Sequence, residues 1–171
     1  MPSRSESPQA ADLSALLEGL CEARIEYIVV GGLAAVIQGA PVTTFDLDIV
    51  HRQTDENIQK LFRFLTSIDS YMRRPDDRLI EPTVVDLKAK GHLLLKTKYG
   101  PLDVLAFIEK GNGYEDLIAN STKIDFHGYK VSVLNLETIL DLKRDSRDQK
   151  DRERLPVYEE TLKLIRDKSR S

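Results

Sequence analysis

The feature that most constrains the fold is a short apolar run that stops at two consecutive glycines. Residues 27–30, Tyr-Ile-Val-Val, are rich in β-branched side chains and lead directly into Gly31 and Gly32. An apolar run of this length, bounded by a turn signal, is typical of a strand that is buried on both faces. Residues 33–37 are again apolar and precede a segment with Gly and Pro, which predicts a short helix. The sequence thus predicts a strand, a glycine turn and a helix in succession.

Two carboxylates lie on one face of the next predicted strand. Residues 45–50 alternate apolar side chains with Asp46 and Asp48, which predicts a strand with one apolar and one acidic face. Two carboxylates on one face repel each other unless a cation or solvent compensates. Mg²⁺ is commonly bound by one or two carboxylates together with substrate phosphates. The pair therefore fits a metal site, and it equally fits the solvated outer face of an amphipathic strand.

Asp103 is a third candidate acid. It lies in an otherwise apolar strand predicted over residues 102–107, just after the turn at residues 99–101. A carboxylate in such a strand is costly to bury without a partner, and a shared metal ion would supply one. The alternative is that the end of the strand is exposed to solvent and that Asp103 merely caps the turn.

The remaining periodicity predicts an α/β or α+β protein with a mixed sheet flanked by helices and a C-terminal helical segment. Further helices are predicted over residues 12–23, 54–68, 83–90, 114–119, 136–144 and 156–166. Two hairpins are predicted from strands at 92–98 with 102–107 and at 123–126 with 130–134. Residues 69–82 are predicted to be mainly loop, and residues 145–154 form a charged stretch.

Length and composition predict one cytoplasmic domain. The 171 residues suit a single domain over 12–171, and the polar residues 1–11 are predicted to be a disordered tail. The formal net charge of -3 does not demand a nucleic-acid or membrane partner. Cys21 is the only cysteine, which agrees with a reducing cytosol, and its helical apolar surroundings indicate packing rather than catalysis. No apolar run approaches the roughly 20 residues that cross a bilayer.

Taken together, the glycine pair, the Asp-x-Asp strand and the later strand aspartate resemble the DNA polymerase beta-like nucleotidyltransferase superfamily. Within it, the chain is similar to the small AbiEii-type and minimal nucleotidyltransferases of prokaryotic toxin–antitoxin and phage-defence systems. Residues 27–50 carry most of the likeness, residues 99–105 match the strand of the third acid, and residues 142–151 resemble the basic segment that follows. The likeness spans roughly residues 15 to 165.

This resemblance implies a two-metal nucleotidyl transfer with an NTP as substrate. It assigns both Mg²⁺ (or Mn²⁺) ions to Asp46 and Asp48, and it assigns to Asp103 the ion that activates the acceptor hydroxyl. The residues that it places at the nucleotide phosphates are Gly31, Gly32, Thr44, Lys143 and Lys150. For the two lysines, an ordinary solvated helix face is an equal alternative, because acidic residues are interleaved with them.

Two positions depart from the family pattern. Val42 stands where members often carry arginine, and Asp148 stands where a basic residue is common. Three hypotheses follow from the sequence. The first is an enzyme that moves an NMP to a hydroxyl on RNA, protein or a small molecule, as a component of a toxin–antitoxin system with a cognate partner protein. The second is a catalytically degenerate nucleotide- or partner-binding module on the same fold. The third is an interaction domain that binds no nucleotide.

Overall fold

The computed structural model describes residues 11–170, which contain seven strands and seven α-helices. The strands are β1 (Tyr27–Val30), β2 (Leu47–His51), β3 (Tyr71–Met72), β4 (His92–Thr97), β5 (Gly100–Leu105), β6 (Ser121–Phe126) and β7 (Tyr129–Leu134). The helices are α1 (Leu13–Glu22), α2 (Gly31–Ile37), α3 (Asp55–Ser67), α4 (Val84–Lys88), α5 (Tyr114–Leu117), α6 (Leu136–Lys143) and α7 (Gln149–Ser169).

The strands form one mixed sheet in the order β3-β4-β5-β2-β1-β7-β6. β1 runs antiparallel to β2 and parallel to β7, and β2 runs parallel to β5. The outer pairs β4–β5 and β6–β7 are antiparallel hairpins, as predicted. The mixed sheet with flanking helices and a long C-terminal helix confirms the predicted fold class.

The core lies where the central strands meet the helices. All four residues of β1 are buried, as expected for a strand with neighbours on both sides and cover on both faces. Leu16 and Leu20 of α1 and Leu61 and Leu65 of α3 are fully buried at helical spacing. Each such side chain contributes roughly 1.5–3 kcal/mol relative to an exposed one. This burial fixes the central strands, and with them the start of α2 after β1 and the loop that precedes β2.

Helix α2 begins at Gly31, two residues earlier than predicted. The glycines therefore form the first turn of the helix rather than a turn before it. Gly31 has a φ of +68°, a conformation that glycine adopts without a steric penalty. The chain can thus leave β1 and enter the helix without an intervening loop.

Strand β2 begins at Leu47, so the predicted start at Phe45 is wrong. Phe45 is 70% exposed rather than part of an apolar face. The physical reason is that pairing on the β1 side ends at Asp48, whose partner Val30 is the last residue of β1 before α2 begins. Asp46 consequently lies in the extended segment just before the strand.

Two further expectations need correction. The predicted loop over 69–82 contains the short strand β3, because Tyr71 and Met72 pair with β4. Helix α7 starts well before Pro156, which lies inside it rather than at its beginning. Its true start is set by Asp148, whose side chain accepts a hydrogen bond from the backbone N–H of Asp151.

The predicted tail lies mostly outside the described residues. Of residues 1–11, only Ala11 is described, and it packs against Gly100. The single domain over 12–171 stays a prediction. Cys21 is partly buried and lies 3.3 Å from the hydroxyl of Tyr27. Between residues 11 and 170, no helix combines the length and apolar character that a membrane span requires.

Candidate active site

The sheet register brings the predicted acids together. Val30 is paired with Asp48, Asp48 with Asp103, and Asp103 with Leu94, so these four residues form one row across four strands. Residues that are directly opposite each other present their side chains on the same face of a sheet. Asp48 and Asp103 therefore face the same space, although they are distant in sequence.

Asp46 completes an acidic cluster, which we define as Asp46, Asp48 and Asp103. One carboxylate oxygen from each residue lies within 4.8 Å of the others. Oxygens that share one Mg²⁺ at about 2.1 Å lie at most about 4.2 Å apart, so small side-chain rotations would complete a shared site. Within residues 11–170, this is the one group of three or more acidic, histidine or cysteine side chains with metal-ligand spacing. Their role as metal ligands stays a prediction.

Asp48 is the member of the acidic cluster whose environment most favours a cation. Its Oδ1 is buried and has no hydrogen-bond partner in the part of the chain that the structure describes. Burial, then repulsion from and hydrogen bonding to Asp103, then repulsion from Asp46 raise the pKa of Asp48 to about 7, while Lys143 acts in the opposite direction. An ionised carboxylate is costly in this environment, and a divalent ion would remove that cost. The residues present therefore fit a metal ion.

Asp103 has a different partner. The guanidinium of Arg73 donates a hydrogen bond of 2.5 Å to its Oδ1. Arg73 follows β3 and is held by its backbone N–H, which donates to the carbonyl of Leu94 at 2.8 Å. Arg73 could not be predicted from the sequence, because it lies in a segment predicted to be loop and no local pattern links it to Asp103. Arg73 competes with a cation for this carboxylate.

The glycine pair packs directly against the acidic cluster. A Cβ at Gly31 would lie 2.2 Å from Oδ2 of Asp48. A Cβ at Gly32 would lie 2.8 Å from Nη1 of Arg154 and 3.1 Å from Oγ1 of Thr44. Any side chain at position 31 would therefore collide with the carboxylate. The predicted adjacency of the glycines to the acidic strand is present, and their contact with phosphates stays a prediction.

Thr44 lies between the glycine pair and the acidic cluster. Its hydroxyl donates to the carbonyl of Asp46 at 3.4 Å, and it approaches Gly32 from the loop that leads into β2. The neighbouring Thr43 carbonyl accepts a hydrogen bond of 2.6 Å from Nη2 of Arg154. Arg154 is a second basic residue that the sequence analysis missed, because its charge is one of many in the stretch over residues 145–154.

The two predicted lysines lie in different environments. Lys143 is half-buried near Asp48 and forms ion pairs with Glu109 and, at 3.5 Å, with Asp151. Burial lowers the pKa of Lys143, but hydrogen bonding and attraction from Glu109 and Asp151 outweigh it, so the pKa is raised. Lys150 is exposed in the first turn of α7. The structure therefore brings Lys143 to the acidic cluster and leaves Lys150 on the surface.

A cavity of about 340 Å³ adjoins Asp48. Its walls are mainly apolar side chains of β1, β5, β7 and α6, and its polar groups include His92, Glu109 and Lys143. A mostly apolar cavity with a few convergent polar groups is typical of small-ligand sites, which are usually about 300–1,000 Å³ in volume. The acidic cluster thus has a space beside it for the organic part of a ligand.

No protein-family model matches the chain, and no curated protein matches it either. Solved structures with the same architecture do exist. The lincosamide antibiotic adenylyltransferase LnuA, bound to lincomycin, is 14% identical with a TM-score of 0.58, over 88% of this chain and 98% of LnuA. An antigenic nucleotidyltransferase-like protein from Paracoccidioides brasiliensis is 20% identical with a TM-score of 0.55, over 85% and 72%.

A third similar structure is the antibiotic-resistance factor ANT(2'')-Ia, which is 13% identical with a TM-score of 0.52, over 92% of this chain and 89% of that one. At these identities the likeness concerns the fold. The chain therefore has the nucleotidyltransferase fold that the sequence predicted. The narrower resemblance to AbiEii-type and toxin–antitoxin proteins stays a prediction.

Proposed function

We propose that this chain is a metal-dependent nucleotidyltransferase that moves an NMP from an NTP to an acceptor hydroxyl. The observation that carries the proposal is the acidic cluster, in which Asp48 lies close to Asp103 and Asp46 and has a buried oxygen with no hydrogen-bond partner among the described residues. The fold supports it, because solved structures with this architecture are nucleotidyltransferases. The reaction is proposed to take place in the cytoplasm, in keeping with the single cysteine.

Asp46, Asp48 and Asp103 would hold Mg²⁺ or Mn²⁺, which when bound lower the pKa of the attacking hydroxyl and neutralise charge on the departing pyrophosphate. The acceptor oxygen forms a bond to the α-phosphorus, and the bond from that phosphorus to the oxygen bridging the β-phosphate breaks. Pyrophosphate leaves with the electron pair. Asp103 accepts the proton of the hydroxyl, since it is the acid with which the resemblance associates the acceptor.

The phosphates are proposed to contact Gly31, Gly32 and Thr44, which line the side of the acidic cluster toward α2. Lys143 approaches from α6, next to Asp48 in the wall of the cavity. Lys150 is exposed, so its contact with phosphate needs a movement of its side chain toward the site. Together these groups would orient the α-phosphorus toward the acceptor.

The acceptor is proposed to be a hydroxyl on a small molecule, on RNA or on a protein. The names of two structural neighbours, an adenylyltransferase of lincosamide antibiotics and an antibiotic-resistance factor, favour the small molecule. A role as a toxin–antitoxin component with a cognate partner is the physiological setting that the sequence resemblance suggests.

The alternative is a catalytically degenerate module that binds a nucleotide or a partner protein. Three observations favour it. Position 42 carries valine instead of the arginine of the family pattern, and position 148 carries an aspartate that caps a helix instead of a basic residue. In addition, Arg73 pairs with Asp103. In this case the fold would bind its ligand without turnover.

The test is transfer of label from the four α-³²P-labelled ribonucleoside triphosphates, with Mn²⁺ or Mg²⁺, to a panel of hydroxyl compounds, RNA and cell protein. Release of pyrophosphate is followed in parallel. Wild type is compared with Asp46→Ala, and Asp125→Asn in the exposed β6–β7 hairpin is the matched control. Metal-dependent NTP binding without any transfer would favour the degenerate module. The absence of metal-dependent NTP binding would refute nucleotidyl transfer and nucleotide binding alike, and would leave only a module that binds a partner protein.

A further inference from the structure

We propose that Arg154, on α7, binds the β- and γ-phosphates of the NTP. It would thereby replace the arginine that family members often carry at the position of Val42. The inference rests on the proposed function and assigns to it a residue that neither the sequence pattern nor the comparisons indicate. It concerns the positioning and release of pyrophosphate, whereas the chemistry at the α-phosphorus belongs to the acidic cluster.

The guanidinium of Arg154 is fixed against the glycine pair. Nη2 donates to the carbonyl of Thr43 at 2.6 Å, and Nη1 lies 2.8 Å from the position that a Cβ of Gly32 would occupy. The next residue toward the acidic cluster, Gly31, touches the Asp48 carboxylate in the same way. A continuous surface therefore runs from Asp48 across both glycines to Arg154, and its two ends are a carboxylate and a guanidinium.

The charge of Arg154 has no carboxylate partner in the part of the chain that the structure describes. Arg73 pairs with Asp103, and Lys143 pairs with Glu109 and Asp151. Arg154 instead contacts a backbone carbonyl and the hydroxyl of Tyr158, both of them uncharged. Of the three basic side chains at this site, Arg154 is the one whose positive charge is available for an external anion.

Phosphate is the anion that fits this position. A guanidinium carries five N–H donors in a planar fork, and it binds phosphate oxygens in a bidentate manner. The contacts to Thr43 and Tyr158 orient the fork and use only part of its donors. Two divalent ions at the acidic cluster would not neutralise a triphosphate and three carboxylates completely, so a cation at the far end of the polyphosphate would stabilise the bound nucleotide. Arg154 provides it.

The experiment compares Arg154→Gln and Arg154→Lys with wild type, and Arg152→Gln is the control because Arg152 is exposed on the same helix. The binding of each ribonucleoside triphosphate, its monophosphate and inorganic pyrophosphate is measured by calorimetry in Mn²⁺. We expect Arg154→Gln to weaken triphosphate and pyrophosphate binding by about tenfold or more, in line with the loss of a charge-assisted hydrogen bond. Monophosphate binding should change less than about twofold. Arg154→Lys should be intermediate, and Arg152→Gln should resemble wild type.

Equal weakening of monophosphate and triphosphate binding would overturn the proposal, as would unchanged triphosphate binding with a lower melting temperature, because both outcomes indicate a structural clamp to Thr43. If Arg154→Gln does not fold, the Lys variant answers the question through the same ratio of triphosphate to monophosphate affinity. A wild-type protein that binds NTP without transferring it would refute the proposed catalysis and leave this test intact. A wild-type protein that binds neither NTP nor pyrophosphate would refute both proposals.

Discussion

The two sides of the acidic cluster are built differently. On the glycine side, toward α2 and α7, Gly31 and Gly32 pack closely against Asp48 and Arg154. On the edge side, toward β4 and β3, the row continues with the 44% exposed Leu94 and with Arg73, whose charge is paired with Asp103. Among the described residues, the glycine side thus holds a carboxylate oxygen without a hydrogen-bond partner and a guanidinium without a carboxylate partner. On the edge side, the charges of Arg73 and Asp103 compensate each other.

Under the proposed function, this difference would let one cluster serve two ligands. On the glycine side, Asp48 Oδ1 has no hydrogen-bond partner among residues 11–170 and would favour a cation, and the guanidinium of Arg154 would favour an anion. A metal–triphosphate complex supplies both at once. On the edge side, a metal ion has to displace Arg73 from Asp103 before that carboxylate can act on an acceptor. We therefore expect the glycine side to bind the metal–nucleotide complex first. On the edge side, we expect Arg73 to leave Asp103 after that step.

The largest effect is expected from removing the charge of Asp48. Asp48→Asn should lower nucleotidyl transfer by at least about 10³-fold, because a catalytic metal ion contributes several kcal/mol to transition-state stabilisation. The measurement is the initial rate of pyrophosphate release in Mn²⁺, with Asp125→Asn as the control. Retention of more than a tenth of the wild-type rate would show that Asp48 does not hold the metal. The difference between the two sides would then be unrelated to metal binding.

The next largest effect is expected from substituting the two glycines, and the loss of unfolding free energy should differ between positions 31 and 32. Gly31→Ala places a Cβ 2.2 Å from Asp48 Oδ2 at a φ of +68°, so it should cost about 3 kcal/mol of unfolding free energy. Gly32→Ala meets the end of the Arg154 side chain, which can move, and should cost about 1 kcal/mol. Urea unfolding of both variants measures this.

Nucleotide affinity is a second measurement that should distinguish Gly31→Ala from Gly32→Ala. Gly32→Ala should weaken triphosphate binding more than its small stability cost implies, because it displaces the guanidinium. Equal stability of the two variants would contradict the close packing that distinguishes position 31 from position 32.

Stability should depend on pH through Asp48. Its folded pKa is raised to about 7, so between pH 4 and pH 7 the folded chain keeps a proton that the unfolded chain loses. Stability from this group is therefore fully present at low pH and is lost as the pH rises through about 7. Without metal, Asp48→Asn should become more stable than wild type by about 2 kcal/mol near pH 7, and the difference should shrink toward pH 4.

Thermal unfolding in chelator across this pH range is the measurement. Mn²⁺ should stabilise wild type at pH 7 and leave Asp48→Asn nearly unchanged. A stability difference that does not vary with pH would mean that Asp48 is not strained in the apo protein. The same substitution is thus expected to remove activity and to increase stability, as is common where a site holds like charges together.

The fold and the acidic half of the site could be predicted because their signals are local. The apolar run before Gly31, and Asp46 and Asp48 two residues apart, can be read within one short window of sequence. Asp103 was found because an acid in an apolar strand is costly wherever the strand is placed. The exposure of Phe45 was missed, because the alternation of residue types does not show where a strand loses its partner.

The basic half could not be predicted, because its residues meet only in three dimensions. Arg73 reaches Asp103 through the pairing of β3, β4 and β5, and two-residue strands such as β3 have almost no sequence signal. Arg154 reaches Gly32 because α7 begins at its Asp148 cap, whereas the sequence placed the start near Pro156. Arg154 therefore fell in the charged stretch before the predicted helix, and nothing in that stretch indicated which of its side chains faces Gly32.

The smallest effect is expected on the edge side. Arg73→Gln removes the cation that competes for Asp103, so Mn²⁺ affinity without nucleotide should rise by about two- to fivefold. The partly exposed ion pair itself contributes at most about 1 kcal/mol, so the melting temperature should fall only slightly. Mn²⁺ titration followed by water-proton relaxation measures the affinity, and Arg74→Gln, which removes a surface pair with Asp76, is the control. A lower affinity would mean that Arg73 orients Asp103 for the metal instead of competing with it, and the two sides would then act together on one ligand.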